Sequence, residues 1–263
     1  MVNQAALNLA TLNPADPLER KLYAASRAGF AAVGLRQEDM EQSWERTRQE
    51  LLMSDLALAE LEGVAGWMQP GRTTRSLALV QAEEVFATAA ELGAALVIAW
   101  PSDDPVDTLT AATYFADLCR AAEALGVRVG LECLGHLTTV KDIASAWRIV
   151  EIAEMSNGGL VIDAFHFHRG GSTVEMIEQI PGEMIFLVQV CDVPDLAPSE
   201  LTDQQRLYPG MGWLELEPLL AAIRAKGYAG YYSLELHNEE YWKEDPIAVA
   251  AEGLRAMRRL DLV

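Results

Sequence analysis

The fold of this chain is decided by four segments of its second half: VRVGLECL (127–134), GLVIDAFH (159–166), MIFLVQVC (184–191) and GYYSLELH (230–237). Each is an apolar, β-prone run with one oxygen-bearing side chain near its end; these side chains are Glu132, Asp163, Gln189 and Glu235. Inside a parallel sheet, a carboxylate is costly unless it is paired or binds a cation. Four such residues, spaced as consecutive strand–helix units, predict one barrel with a shared site at its mouth.

Four similar runs precede these segments: AALNLATL (5–12), AAVGLR (31–36), part of DLALAELEGVAG (55–66) and ALVIAW (95–100). Stretches with helical spacing separate the runs, and glycines that suit helix C-caps close several of them, at Gly29, Gly93, Gly126 and Gly227. Eight alternating units predict an α/β fold, a single (β/α)8 TIM barrel that forms one domain over residues 1–263. The third run is ambiguous, because residues 41–67 also fit a longer helix.

Composition limits the function classes. A chain of 263 residues that is 51% hydrophobic is long enough for one barrel. A net charge of −19 argues against nucleic-acid or anionic-membrane partners, which basic residues recognise. The three cysteines show no CxxC spacing, and the N-terminal residues lack the features of a signal peptide. We therefore expect a cytoplasmic protein with no membrane span, and a homo-oligomer remains open.

The four strand-end residues predict a metal site at the barrel mouth. Glu132, Asp163, Gln189 and Glu235 offer carboxylate and amide oxygens, which suit a hard cation. We expect one divalent metal ion, Mn2+ or Mg2+, with Co2+ or Zn2+ as alternatives. A cation that holds a substrate's carbonyl and neighbouring hydroxyl oxygens would stabilise the enediolate that forms when a carbon-bound proton leaves. Taken singly, each residue also has a structural explanation as an ion-pair or loop-capping group.

Three basic residues near the expected mouth are candidates for substrate binding or catalysis. His166 follows Asp163 by three residues and can hydrogen-bond a substrate hydroxyl or carbonyl oxygen. Arg169 can either anchor an anionic group or form a salt bridge. Arg206 lies before the PGMG turn of the long irregular segment 194–212, where its guanidinium can bind a carboxylate or vicinal oxygens.

Three further side chains are candidates for the wall of the pocket. Trp67 and Trp100 end the third and fourth runs, and their rings can pack against the carbon face of a sugar or simply fill the barrel. His237 follows Glu235 by two residues and can line the mouth or serve in a turn.

The second half also resembles the xylose isomerase-like, or sugar phosphate isomerase/epimerase, superfamily of TIM barrels. The resemblance covers residues 127–245 and lies in GLECLG, VIDAFHFHRGG, FLVQVCDVPD, RLYPGMGWLELEPLLAAIRAKGYAGYYSLEL and HNEEYW. The ELHNEEYW ending is most similar to inosose isomerases and related proteins of inositol catabolism. The resemblance implies metal ligation by Glu132, Asp163, Gln189 and Glu235, proton transfer by Glu132 and Glu235, and a substrate contact by His166.

The resemblance leaves several activities open. The leading expectation is a metal-dependent isomerase or epimerase of a small polyhydroxy ketone, either a ketose or an inosose. Many epimerases of the superfamily carry His at the third ligand position, whereas Gln189 is also found in dehydratases of the 3-dehydroshikimate type. A barrel that binds metal or sugar without turnover is a third alternative. The related endonucleases use several His ligands and a basic face, which four histidines and a charge of −19 do not supply.

Overall fold

A computed structural model of the chain describes residues 4–40 and 43–263. Eight strands follow one another: β1 (Gln4–Asn8), β2 (Ala32–Arg36), β3 (Ala57–Val64), β4 (Val97–Ala99), β5 (Val129–Glu132), β6 (Gly158–Asp163), β7 (Ile185–Val190) and β8 (Tyr231–Leu234). Each strand pairs in parallel with the next, and β8 pairs with β1, so that the sheet closes. The predicted (β/α)8 barrel is confirmed.

Helices lie between the strands: α1 (Leu18–Ala28), α2 (Trp44–Ser54), α3 (Arg72–Leu92), α4 (Thr108–Glu123), α5 (Ile143–Ala153), α6 (Ala164–Arg169), α7 (Val174–Glu178), α8 (Leu216–Ala225) and α9 (Pro246–Arg259). They pack on the barrel through apolar side chains that lie buried in one cluster, such as Phe86, Phe115 and Ile223. Side-chain caps begin several of them; Asp142, for example, accepts a hydrogen bond from the backbone N–H of Ser145 at 2.8 Å.

The strand predictions are correct in number and order, but the strands are shorter than the apolar runs. The sixth run was expected to extend through His166, whereas β6 ends at Asp163 and His166 lies in α6. The physical reason is a cap: the Asp163 carboxylate accepts a hydrogen bond from the His166 backbone N–H at 2.7 Å, which begins the helix. The ambiguous third run resolves into α2 and β3, while residues 41 and 42 lie outside the described part of the chain.

All four predicted glycines have positive φ near a helix end. Gly29 and Gly93 are left-handed C-caps of α1 and α3, with φ of 98° and 72°. Gly227 directly follows Lys226, the capping residue of α8, and Gly126 lies two residues beyond Ala124, which caps α4. Within residues 4–40 and 43–263, no helix combines the length and the apolar character that a membrane crossing requires.

Candidate active site

The carboxyl ends of four neighbouring strands bring the predicted metal ligands together. Glu132 and Asp163 are the last residues of β5 and β6, Gln189 lies one residue before the end of β7, and Glu235 directly follows β8. All four side chains are buried, and Asp163 is in register with Gln189 across the β6–β7 pair. The barrel therefore collects three carboxyl groups and one amide at a single end, where the sites of such barrels lie.

Arg206 lies among these carboxyl groups. Its Nη1 donates to Asp163 Oδ2 at 2.6 Å and to Glu235 Oε2 at 3.1 Å, and its Nη2 donates to Asp203 Oδ1 at 2.9 Å. The guanidinium is 1% exposed and also lies over the Phe165 ring, 4.6 Å from its centroid. A buried cation thus compensates three acidic groups from different parts of the chain.

Asp192, a buried acid outside the predicted ligand set, fixes the segment that carries Arg206. Its carboxylate accepts backbone hydrogen bonds from Gly210 at 3.0 Å, Gly212 at 2.9 Å and Leu214 at 2.8 Å. The backbones of Asp192 and Leu207 also pair as a short antiparallel bridge. These bonds fold the PGMG turn back onto the end of β7, which holds Arg206 over the mouth.

Burial and the charges of the site shift the pKa values of its carboxyl groups in different directions. Burial raises the pKa of Asp163 to about 6, although the Arg206 guanidinium opposes this shift. Burial also raises the pKa of Glu132 well above its usual range, and the charges of Asp163 and Glu235 add to the effect. At Glu235, burial is outweighed by Arg206 and by a hydrogen bond from His237, so the pKa of this carboxyl lies below its usual range.

The His166 ring has a defined orientation. The backbone N–H of Gly135 donates to its Nδ1 at 3.2 Å, so a neutral ring carries its proton on Nε2. Nε2 faces the site and lies 3.9 Å from Glu132 Oε1. Burial and the Arg206 charge lower the pKa of His166 to about 3, which keeps the ring neutral. His166 can therefore donate one hydrogen bond toward the cavity from Nε2.

The donor set fits a divalent cation. Gln189 is fully buried, yet its Oε1 has no hydrogen-bond partner, which is unusual for a buried amide oxygen and leaves it free to bind a cation. Ligand atoms of Glu132, Asp163 and His166 lie within 4.8 Å of one another. Since His166 Nδ1 is engaged by Gly135, the candidate ligand atoms are the oxygens of Glu132, Asp163, Gln189 and Glu235, which together suit a divalent cation.

Three polar residues on the opposite strands complete the site, and the sequence interpretation missed them. Glu60 and Glu62 alternate along β3, so both side chains point to the barrel interior, and Asn8 ends β1. The Asn8 amide donates to Glu60 Oε1 at 3.0 Å, to Glu62 Oε1 at 2.5 Å and to Glu235 Oε1 at 3.2 Å. The available signal was ELE within the apolar run LALAELEGV, which again sets carboxylates inside a strand.

A cavity of about 550 Å3 opens over these groups. Its lining includes Glu62, which the sequence interpretation missed, and five residues that were predicted from the sequence: Glu132, His166, Arg206, Glu235 and His237. Trp100 also lines it, and the Trp100 indole N–H donates to Glu132 Oε2 at 2.8 Å. His237 Nε2 lies 3.4 Å from Glu235 Oε1.

Two predicted substrate contacts lie elsewhere. Trp67 is 1% exposed, packs on Phe115 with ring centroids 5.9 Å apart, and donates to the Trp100 carbonyl at 2.7 Å. The structure therefore puts Trp67 beneath the pocket wall and not in it. Arg169 ends α6, and its guanidinium lies 6.0 Å from the centroid of the Phe165 ring. Neither residue belongs to the described lining of the cavity.

Comparison with known proteins assigns the family. Residues 22–260 match the model of the xylose isomerase-like TIM barrel family, to which the chain therefore belongs. Inosose isomerase of Bacillus subtilis (strain 168) is 38% identical over 139 residues, which are 52% of this chain and 48% of that protein. The 3-dehydroshikimate dehydratase of Pseudomonas aeruginosa (strain PAO1) is 32% identical over 270 residues, or 97% of this chain and 41% of that protein. The chain thus spans less than half the length of these two relatives.

Solved structures share the fold over almost the whole chain. The crystal structure of the IOLI protein with a zinc atom superposes with a TM-score of 0.91 at 24% identity, covering 98% of each chain. A fusion of a xylose isomerase-like TIM barrel with a 4-hydroxyphenylpyruvate dioxygenase gives a TM-score of 0.92 at 28% identity, covering 99% of this chain and 43% of the fusion.

Proposed function

We propose that this chain is a divalent-metal-dependent isomerase or epimerase of a small polyhydroxy ketone, which it converts through an enediolate. The observation that carries the proposal is the convergence of Glu132 and Glu235, from β5 and β8, on one cavity beside Asp163 and Gln189. Two buried carboxyl groups on different strands can reach one substrate carbon from two directions. This is the arrangement that removal and return of a proton require.

The proposed cation is Mn2+ or Mg2+, held by Glu132, Asp163, Gln189 and Glu235. The unpartnered Oε1 of Gln189 supports this assignment, because the buried oxygen otherwise has nothing to bind. When bound, such an ion supplies Lewis-acid polarisation of the ketone and lowers the free energy of the developing negative charge.

The residues of the chain have separate proposed roles in the proton transfer. Glu132 and Glu235 act as the paired base and acid, and their different surroundings support a division of labour between them. His166 donates from Nε2 to an oxygen of the substrate, since its Nδ1 is held by Gly135. Arg206 faces the same cavity and orients substrate oxygens while it holds Asp163 and Glu235 in position.

Inososes are the first compounds to test. The inosose isomerase of Bacillus subtilis supports them, because 38% identity over about half of this chain is well above the level of shared fold alone. A role in inositol catabolism in the cytoplasm follows from the same proposal. We also propose that residues 1–263 act as one domain, which the single closed barrel supports.

A dehydratase of the 3-dehydroshikimate type is the second candidate. It is favoured by a relative of that name that aligns over 97% of this chain. Both reactions begin with loss of a carbon-bound proton beside a ketone, so the same residues serve either one. They differ in the next step, because a dehydratase expels a β-hydroxyl group as water, whereas an isomerase or epimerase returns the proton.

Product analysis separates the two candidates. The protein is stripped with a chelator, reloaded with Mn2+ or Mg2+ and incubated with inososes, ketohexoses, hydroxypyruvate and 3-dehydroshikimate. Isomeric products from an inosose or a ketose support the leading proposal, and an aromatic product from 3-dehydroshikimate selects the dehydratase. Conversion that is the same in the stripped and the reloaded protein contradicts the metal assignment.

A further inference from the structure

Glu62 is a cavity residue that the proposed reaction does not use. The two hydrogen bonds described for its side chain both end on Oε1: one from Asn8 at 2.5 Å and one from Gln189 Nε2 at 3.3 Å. The residue is 3% exposed and lines the cavity together with Glu132 and Glu235. Among the described residues, no hydrogen bond ends on Glu62 Oε2. One oxygen of a nearly buried carboxyl group is therefore left without a protein partner at the cavity wall.

The surroundings of Glu62 hold its carboxyl group firmly. Asn8, the donor to its Oε1, is itself fixed, because its Oδ1 accepts the Ala10 backbone N–H at 3.0 Å and its amide also bonds to Glu60. Glu60 in turn accepts from Ser233 Oγ at 2.8 Å. The side chain of Gln189 adds a second unpartnered oxygen beside Glu62. Its Nε2 donates to Glu62, while its Oε1 has no hydrogen-bond partner. Unpartnered buried oxygens cost free energy unless a ligand supplies their hydrogen-bond partner, as expected of a binding site.

The cations that line the cavity are already engaged by acids of the chain. Arg206 is bound to Asp163, Asp203 and Glu235. Arg36 Nη1 lies 2.7 Å from Glu38 Oε1, while its buried Nε makes no hydrogen bond within the described part of the chain and lies 3.8 Å from Asp39 Oδ2. These are the two arginines of the lining, and it contains no lysine among the described residues. A substrate carboxylate would therefore have to compete with an existing ion pair.

We propose that Glu62 is a further substrate-binding residue, which holds a hydroxyl group through Oε2 and makes the site select uncharged polyhydroxy ketones over ketones that carry a carboxylate. A hydroxyl group both donates and accepts, so it can pair with this oxygen whether or not Glu62 is protonated. A substrate carboxylate only accepts, so it can pair with this oxygen only where Glu62 is protonated, and it would add a negative charge beside Glu235 in the same cavity. The inference rests on the proposed function and names the substrate class of the same site.

Glu62→Gln tests the inference, because it keeps the shape of the side chain and alters the group that faces the substrate. Glu123→Gln is the matched control, since Glu123 is exposed at the end of α4 and undergoes the same replacement of a carboxyl by an amide. Michaelis parameters are measured for the uncharged ketone that wild type converts. In Glu62→Gln we expect KM to rise about tenfold while kcat changes less than threefold, as for the loss of a hydrogen bond made equally in ground and transition states.

A binding measurement keeps the test independent of turnover. Titration calorimetry of Mg2+-loaded protein compares myo-inositol, an uncharged ring polyol, with quinate, a ring polyol that carries a carboxylate. Wild type should bind myo-inositol at least tenfold more tightly, and Glu62→Gln should lose most of this preference. Glu62→Asp, which withdraws the carboxyl group from the cavity, should weaken myo-inositol binding in the same direction and replaces Glu62→Gln if that variant does not fold.

Two results would overturn the inference. The first is a Glu62→Gln protein whose KM and myo-inositol affinity equal those of Glu123→Gln. The second is a wild-type protein that binds quinate as tightly as myo-inositol. Failure of the proposed function has a different signature, because wild type would then convert none of the uncharged ketones, whereas the two titrations would still report the preference of the cavity.

Discussion

The two sides of the barrel mouth compensate their buried acids in different ways. On the β6–β8 side, Asp163 and Glu235 meet the full positive charge of Arg206. On the β1–β3 side, the donors to Glu60 and Glu62 among the described residues are all neutral, namely the amides of Asn8 and Gln189 and the hydroxyl of Ser233. A cation stabilises a buried carboxylate far more than neutral donors do. The pKa values of glutamates on the two sides are therefore shifted in opposite directions.

The pKa values of three glutamates follow this division, whereas burial raises the pKa of Asp163 to about 6 although Arg206 lowers it. The pKa of Glu235 lies below its usual range because Arg206 outweighs burial, whereas burial raises the pKa of Glu60 from 4.5 to about 8 despite the Ser233 hydrogen bond. Burial and the charge of Glu235 likewise raise the pKa of Glu62 well above its usual range. We infer that Glu235 on the β8 side is an ionised base at neutral pH, while Glu60 on the β3 side is protonated.

Glu235→Gln should have the largest effect on function, because it removes the ionised member of the proposed acid–base pair. We expect a loss of roughly 1000-fold or more in kcat, in line with the usual contribution of a general base together with a lost metal ligand. The circular dichroism spectrum should remain that of wild type, since the amide can still accept from Arg206. Activity within a few-fold of the Glu123→Gln control would rule out the role given to Glu235.

Arg206→Ala should have the largest effect on stability. It leaves Asp163 and Glu235 buried without their cation, which costs about 3–5 kcal/mol when one member of a buried ion pair is removed. A divalent cation supplies positive charge to the same oxygens, so the loss should be smaller with Mn2+ than with chelator. Thermal unfolding in the two conditions measures this difference. An equal loss in both would argue against a cation site at these carboxyl groups.

Glu60→Gln should change the pH dependence of stability. Because the folded-state pKa of about 8 exceeds the ordinary value of 4.5, the folded protein binds the extra proton between these pH values. The unfolding free energy therefore falls as pH rises through this range, by up to about 1.4 kcal/mol per pH unit for one group. Removing the titrating group should flatten the dependence of the unfolding free energy on pH. The variant should therefore be more stable relative to wild type at pH 8 than at pH 5. Denaturant unfolding at both pH values gives the comparison, and parallel slopes would show that Glu60 does not titrate in this way.

Ser233→Ala should give the smallest effect of the set. It removes the 2.8 Å hydrogen bond to Glu60 Oε1, for which we expect a loss of about 1 kcal/mol in unfolding free energy. The loss should be greater at pH 9, where Glu60 ionises and the bond becomes charge-assisted, than at pH 5. A Thr88→Ala protein is a suitable control, because it removes an exposed hydroxyl that bonds within α3 at 3.0 Å. Identical pH profiles of the two variants would contradict the assignment.

The same two sides also differ in how well the sequence predicts them. On the β5–β8 side, single polar residues interrupt apolar runs at strand ends, so Glu132, Asp163, Gln189 and Glu235 could be identified from the pattern. On the other side, Asn8 ends β1 but lies in the middle of the apolar run 5–12, and Glu60 and Glu62 lie in the run that also fitted a helix. An alternating ELE suits an exposed helix or strand face equally well, and only closure of the barrel buries it.

The remaining misses have physical reasons of the same kind. Trp67 follows the third apolar run as Trp100 ends the fourth, but its indole N–H donates to the Trp100 carbonyl beneath the pocket wall, an arrangement that depends on the packing of α4. His166 was expected on a strand, and the Asp163 cap that begins α6 could not be distinguished from a metal ligand by residue type. Arg206 lines the cavity, as was expected of a residue that faces the substrate. Its contacts with three acids could not be predicted, because they depend on the loop that Asp192 folds.

Proton exchange in D2O tests the central claim most directly, namely that this site removes a carbon-bound proton next to a ketone with the help of a divalent ion. Proton NMR follows an inosose incubated with Mg2+-loaded protein, stripped protein and the Mg2+-loaded Glu235→Gln variant. We predict loss of the proton signal beside the carbonyl with the loaded wild type, and no loss above background in the other two samples. Retention of that signal with loaded wild type, across the inososes and the ketoses alike, would contradict the account.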